Sequence, residues 1–392
     1  PRRPEPDDLR RAGVKLPQFD PDELAVPLWT FDRRFNRFAW DSCGDLEADP
    51  RCQIAIHSTV TEIVRQDGRI ARVEARSLGA GRLTVKAKAF VLAAGGIENP
   101  RLLLASGLGN DQVGRYFMEH PHARGGRIAG GAAWPLLKAF GRRHRVGGQD
   151  LAALIAPSEA LQRRENILNT SLTIVARQPQ GRRQFIGMKA YSGLKHKMAP
   201  TRRGRALWMV TKKAAGWAQR HVDPARPWLL HKIGNLELAL LVRGEQAPNP
   251  ASRVTLAGET DATGVRRAKL DWRLSELDVR SVSVLVEALG RELQRLGLGR
   301  VEPADWLGSG EWKTDPLISS HPIGGYHHMG TTRMGRDPAT SVTDPDGRVH
   351  DIGNLWVAGS SLFPTGGWAN PTLTIVALAL RSAETISRKL KS

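Results

Sequence analysis

The chain has 392 residues, enough for a sizeable core and two domains, and its 41% hydrophobic and 25% charged residues are the balance of an ordinary globular protein. No apolar run is long enough to cross a bilayer, and two cysteines, Cys43 and Cys52, are too few for a disulfide framework and read as free thiols. Against 39 Asp and Glu stand 58 Lys and Arg, a formal charge of +19; with no zinc spacing, RNA-binding motif or basic-aromatic register beside it, that excess reads as a diffuse basic surface.

The chain starts at Pro1 with no signal-like apolar segment behind Arg2-Arg3 or Arg10-Arg11, so a cytoplasmic location is expected. Its first forty residues are rich in Pro, Asp and Arg and do not alternate like a βαβ unit, which predicts an irregular segment over residues 1–37. Residues 45–50 read as a helix end or turn, and residues 52–57 begin strand-like alternation. Residues 60–64 and 70–75 flank Gln66-Asp67-Gly68-Arg69, and Asp-Gly between alternating runs predicts a hairpin. Ala89-Phe90-Val91-Leu92-Ala93-Ala94-Gly95-Gly96 then reads as a buried strand stopped by glycines, with a helix over residues 99–106. In Glu119-His120-Pro121-His122 the two histidines read as structural, because no Cys or carboxylate cluster completes a metal set.

From residue 125 to 299 several runs alternate with period two, at 167–176, 236–240 and 270–274, predicting an antiparallel sheet with one solvated or ligand-facing side. Ser275-Glu276-Leu277-Asp278 has the form of a capping box, and the helix it opens should end at Gly297. The densest basic stretch, 195–221, carries Leu207, Val210, Ala214, Trp217 and His221 at helical spacing among Arg202, Arg203, Arg205, Lys212, Lys213 and Arg220. Such a helix can lie on an anionic membrane or dock a partner, but a stripe packed on its own domain is the favoured reading.

Near the end, Asn354-Leu355-Trp356-Val357-Ala358-Gly359-Ser360-Ser361 is a second strand stopped by a glycine turn. Asn370-Pro371 is a strong helix start, with Asn370 as cap, and residues 373–380 are apolar on every side, predicting a buried helix. Its N-terminus opens on Gly366-Gly367-Trp368-Ala369, a place for an anion or for a group that becomes one. Two glycine-ended strands and this helix start are expected to converge on one flat ligand, with His327-His328 supplying a base.

In order and spacing, Gly325-Tyr326-His327-His328-Met329-Gly330-Thr331-Thr332-Arg333-Met334-Gly335, the strand ending at Ser361, and Ala369-Asn370-Pro371-Thr372-Leu373-Thr374 resemble the C-terminal part of the glucose-methanol-choline (GMC) flavin oxidoreductases. Val91 to Leu103 resembles their middle flavin-binding segment, so the resemblance spans most of the chain. It implies an FAD cofactor and oxidation of the CH-OH group of an alcohol or sugar, with hydride passed to flavin N5. By motif position His327 is the base or alkoxide stabiliser, His328 the next candidate, and Asn370 the donor that orients the substrate oxygen. The cofactor would meet Val60, Ala94, Gly95, Gly96, Gly359, Ser360, Ser361, Asn370, Pro371 and Thr372.

The implied fold class is α/β (α+β): an incomplete Rossmann-like FAD domain, 38–124 with 306–392, and an antiparallel-sheet substrate domain, 125–305, with helices on one face. The family's N-terminal Gly-x-Gly-x-x-Gly unit has no match, since Gly107-Leu108-Gly109 with Gly114 follows a helix rather than a strand. A truncated member is expected, with a separate chain possible as the source of the ADP-binding part. The competing readings are a non-catalytic remnant or subunit of a split enzyme, and a basic peripheral-membrane or nucleic-acid binder.

Overall fold

The computed structural model describes residues 3–31, 42–79, 81–131, 133–177, 202–221, 226–232, 236–314 and 326–391. Gly325 of the histidine motif and residues 195–201 of the basic stretch lie outside them. Residues 3–31 correct the irregular segment expected there: they hold a helix, Pro6–Arg11, and two short strands, β1 (Leu24–Ala25) and β2 (Leu28–Phe31). Leu9, Leu16 and Leu24 enter the larger of two principal apolar cores, and anchors this widely spaced leave no period for a sequence to display.

The smaller core gathers Ile63, Ile70, Phe90, Leu92, Leu103, Leu355 and Val357 among others. Strands β3 (Thr59–Gln66), β4 (Arg69–Arg76) and β5 (Arg82–Val85) form an antiparallel meander, and Asp67 and Gly68 turn the predicted hairpin with φ of 47° and 74°. Residues 52–57 form no strand; their alternation finds no partner, and Ile54 and Ile56 are exposed. Strand β6 (Phe90–Leu92) runs parallel to a strand from the far end of the chain, Leu355–Val357.

The helix after β6, Gly95–Ala105, starts four residues before the predicted residue 99 and contains Pro100. Proline has no N-H to give to the carbonyl one turn back, that of Gly96, and would leave it orphaned in the interior. The buried Thr331 hydroxyl donates to that carbonyl at 2.6 Å, so a residue of the histidine motif completes a helix 235 positions earlier.

In the larger core, β7 (His122–Ala129) joins three strands in an antiparallel sheet. Next in the chain come β8 (His144–Val146), which pairs with β9 (Gln149–Ala153), β9 pairing in turn with β2, and β10 (Ala156–Pro157), which pairs with β1. With β11 (Ser171–Arg177), β12 (Glu237–Arg243) and a last strand, Arg300–Pro303, the sheet order is β11-β12-β7 and then that strand. The helix Glu276–Arg295 covers one face with Val282, Leu285, Val286, Leu289 and Leu293; its predicted capping box at Ser275 and Asp278 is formed, and Gly297 follows its end with φ 64°.

The run 270–274 was expected in this sheet. Its first two residues instead belong to a separate hairpin of β13 (Arg253–Thr260) and β14 (Arg266–Asp271), packed against the helix Gly95–Ala105 and tied there by Arg101, which bonds the Arg266 carbonyl and Asp261. Alternation reports one-sided burial and does not name the partner. With β15 (Arg300–Pro303) and β16 (Leu355–Val357) numbered, the strands are complete among the described residues.

Two helices depart from expectation. The last helix, Thr372–Lys391, is not buried: Leu373 is 82% and Leu380 64% exposed, while Ile375 and Leu378 pack on Met118, Met329 and Phe363 and only Ser382 and Thr385 are buried. An all-round apolar stretch calls for apolar cover, and the described residues supply it on one side. In the basic helix Arg202–His221, where a packed stripe was expected, Leu207, Val210, Ala214 and Trp217 are all exposed. No helix among the described residues is long and apolar enough to span a membrane.

Candidate active site

The histidine motif is fixed by its backbone. Met329 exchanges two hydrogen bonds with Met118, at 2.9 and 3.0 Å, Gly330 N donates to the Ser360 carbonyl, and Thr332 N donates to that of Ser361. Ser360 Oγ donates to the His328 carbonyl at 2.7 Å. A Cβ on Gly96 would lie 2.4 Å from that same carbonyl oxygen, so Gly96 is required for the histidine loop to approach the head of the helix. Asn99, fully buried, accepts from Ala94 N and donates to the Ala358 carbonyl and to Ser361 Oγ, clamping the ends of β6 and β16 together.

At the centre lies Glu119, fully buried, which accepts from the backbone N-H of His120 at 2.8 Å and of His327 at 2.9 Å. Burial pushes its carboxyl up to about 7, against the opposing pull of those N-H groups and of Arg243. His328 Nε2 stands 3.5 Å from Glu119 Oε2, and burial lowers its pKa. Gln246, itself buried, accepts from Glu119 N and from Trp272 Nε1 and so holds the Glu119 backbone in place.

His327 meets the ring of His120 edge to face, centroids 5.1 Å apart, and His120 Nε2 donates to the carbonyl of Ala369 at 3.0 Å. Arg243 Nη1 donates to Asn370 Oδ1 at 2.7 Å, with its guanidinium 4.7 Å above the Trp29 ring. The predicted residues His327, His328 and Asn370 therefore occupy one cluster, joined by His120 and Arg243. The Asn370 oxygen expected to cap the helix is held by Arg243. The Nδ1 atoms of His120 and His327 and Nε2 of His122 are buried without a partner. Burial first, then Arg243 and the neighbouring histidines, depress these rings: His327 and His122 to about 4, His120 to about 3. At neutral pH they are uncharged.

Above the cluster the ends of β6 and β16 form an open backbone ledge. Gly95 (φ 90°) and Gly359 (φ 110°) have nothing within 4 Å of a would-be Cβ, and Ala94 is exposed. The hydroxyls of Ser360 and Ser361 are engaged as described; Ser360 is half-buried and Ser361 fully buried. Pro371 is buried and Thr372 exposed at the head of the last helix, while Val60 lies away in β3, half-buried against the smaller core.

Sequence reasoning missed four residues: Glu119, Arg243, Asn99 and Thr331. Arg243 alone left a signal, a charge on the face of β12 opposite Leu238, Leu240 and Val242. The buried roles of the other three depend on contacts hundreds of positions away in sequence.

The comparisons with known proteins agree with this architecture. An FAD-dependent oxidoreductase of Chaetomium thermophilum, 16% identical, superposes with a TM-score of 0.50 over 91% of this chain and 64% of its own, which shows a shared fold. A 2-methyl-1,2-propanediol dehydrogenase of Mycolicibacterium austroafricanum is 29% identical over 390 residues, 96% of this chain and 60% of its own length. A C-glycoside 3-oxidase of Arthrobacter globiformis is 26% identical over 347 residues, 88% of this chain and 55% of its own. The chain thus spans about 60% or less of the length of these curated relatives. Family models described as GMC oxidoreductase match residues 48–122 and 248–379, together more than half of the chain; they take in the glycine ledge, Glu119, the histidine motif and Asn370 and leave Arg243 between them. On these matches the chain belongs to the GMC oxidoreductase family.

Proposed function

We propose that this chain is the catalytic portion of an FAD-dependent enzyme that oxidises the CH-OH group of an alcohol or sugar. The observation that carries the reading is the meeting of His327, His120, Arg243 and Asn370 beside the glycine ledge. FAD, when bound, supplies the hydride acceptor that no side chain offers. The residues present fit it: Ala94, Gly95, Gly359, Ser360, Ser361 and Thr372 would hold it by backbone, with Gly96 and Pro371 shaping the ledge and Val60 toward the adenine end. The dipole of the last helix favours negative charge at its head.

His327, neutral at working pH, takes the proton of the substrate hydroxyl on its imidazole. Arg243 places a cation where the alkoxide forms, in a half-buried setting where such charge is worth more than in water. Because Arg243 occupies Asn370 Oδ1, the amide turns its NH2 outward to donate to the substrate oxygen. His120 packs edge-on to His327 and keeps it from rotating; His328 faces Glu119 and is the weaker candidate for base.

Val91 in β6 and Leu373 and Leu380 in the last helix are exposed. They are suited to an apolar cover, which supports completion by an ADP-binding segment, on the same polypeptide or another. Producing the chain together with such a segment and recording the flavin spectrum tests the reading. Bound flavin, bleached anaerobically by an alcohol or sugar and bleached slowly after His327→Ala, is the expected result. Absence of flavin, or bleaching indifferent to His327→Ala, would overturn it.

A further inference from the structure

The excess of basic residues is concentrated in one stretch of the sequence. Residues 178–235 hold thirteen Lys and Arg against Asp223 alone, most of the chain's excess of +19. Within it the helix Arg202–His221 carries six Lys and Arg and no acid, and the helix Arg226–Lys232 carries two and no acid.

On the first helix Leu207, Val210, Ala214 and Trp217 fall at spacings of three and four and so share one face. Leu207 is 54%, Val210 64% and Trp217 57% exposed, and Trp228 and Leu229 of the second helix are exposed as well. Lys212 and Lys213, also exposed, lie off the stripe. A solvated aliphatic and indole stripe beside a purely cationic flank is the arrangement of a helix that lies in the plane of a membrane interface. Neither helix is apolar enough to span a bilayer.

We infer that this surface docks the protein on an anionic bilayer, with the Leu207–Val210–Trp217 stripe in the headgroup boundary and the lysines against lipid phosphates. Nucleic acid fits less well, because a phosphate backbone offers nothing to exposed Leu, Val and Met side chains.

The test is sedimentation of the full chain with sucrose-loaded vesicles of phosphatidylcholine alone or mixed with phosphatidylglycerol. Binding is expected to the mixed vesicles only and to weaken as salt rises. Lys212→Gln with Lys213→Gln should weaken it about 30-fold, taking about a fivefold loss per charge. Leu207→Ser with Val210→Ser should weaken it about tenfold or more. Both pairs are at exposed positions, and unchanged circular dichroism separates lost binding from lost fold. No binding at low salt overturns the inference. So does binding that ignores the Leu207→Ser, Val210→Ser pair and is competed by duplex DNA, which would make the surface a general polyanion site.

Discussion

Arg243 and Asn370 meet across 2.7 Å, joining the last residue of β12 to the head of the last helix, two pieces of chain 127 positions apart. The bond fixes the amide and sets a permanent cation beside three neutral imidazoles.

Arg243→Met removes that cation, and with it part of what depresses His327. Since a neighbouring positive charge disfavours the imidazolium, the His327 pKa should rise from about 4 toward the ordinary histidine value of 6.5. Titration of the His327 ring by NMR reads the shift directly; an unmoved or lower value would show that Arg243 does not act on it.

His327→Ala in the flavin-loaded enzyme should lower kcat by about 100- to 10,000-fold, the range for loss of a positioned base. Flavin content and the unfolding midpoint should hold. Steady-state kinetics beside an absorbance spectrum check both, and a loss confined to KM would argue against the role.

Stability should fall with acid. For His120, His122 and His327 the folded pKa lies below the ordinary histidine value of 6.5, at about 3, 4 and 4, so their stabilising contribution is present above 6.5 and is lost as pH drops toward 4. Glu119 acts in the opposite sense: its pKa of about 7 against 4.5 means that stability falls as pH rises between them. Three groups outweigh one, so Tm should drop from pH 6.5 to 4. His120→Gln with His122→Gln should flatten that slope.

Glu119→Gln keeps a carbonyl for the N-H groups of His327 and His120 and removes the ionisation. At pH 8 it should be neutral or stabilising, whereas Glu119→Ala leaves those donors orphaned and should cost about 1–3 kcal/mol. Urea denaturation of the two variants at one pH distinguishes the cases.

Thr331→Val strands the Gly96 carbonyl that Pro100 cannot serve, and should cost about 1–3 kcal/mol. Pro100→Ala restores an N-H to the helix. If the Thr331 hydroxyl serves that carbonyl alone, the double variant should recover much of the loss; strict additivity would show that it does not.

Much of this was legible in the sequence. The Asp67-Gly68 hairpin, the Ser275 capping box and both glycine-ended strands follow from local chemistry, and each is where it was expected. Local signals act within a turn or two of chain, so they survive in any reading of it.

Tertiary structure decided which surfaces find cover and which charges find company. Periodicity gave residues 373–380 and the Leu207 stripe their apolar faces, yet burial is a property of what packs opposite, and there the described chain leaves both open. Glu119, Arg243 and Asn99 carried no readable function alone. Their pKa shifts and bonds arise from desolvation and from partners brought near by folding, and no spacing along the sequence encodes those distances.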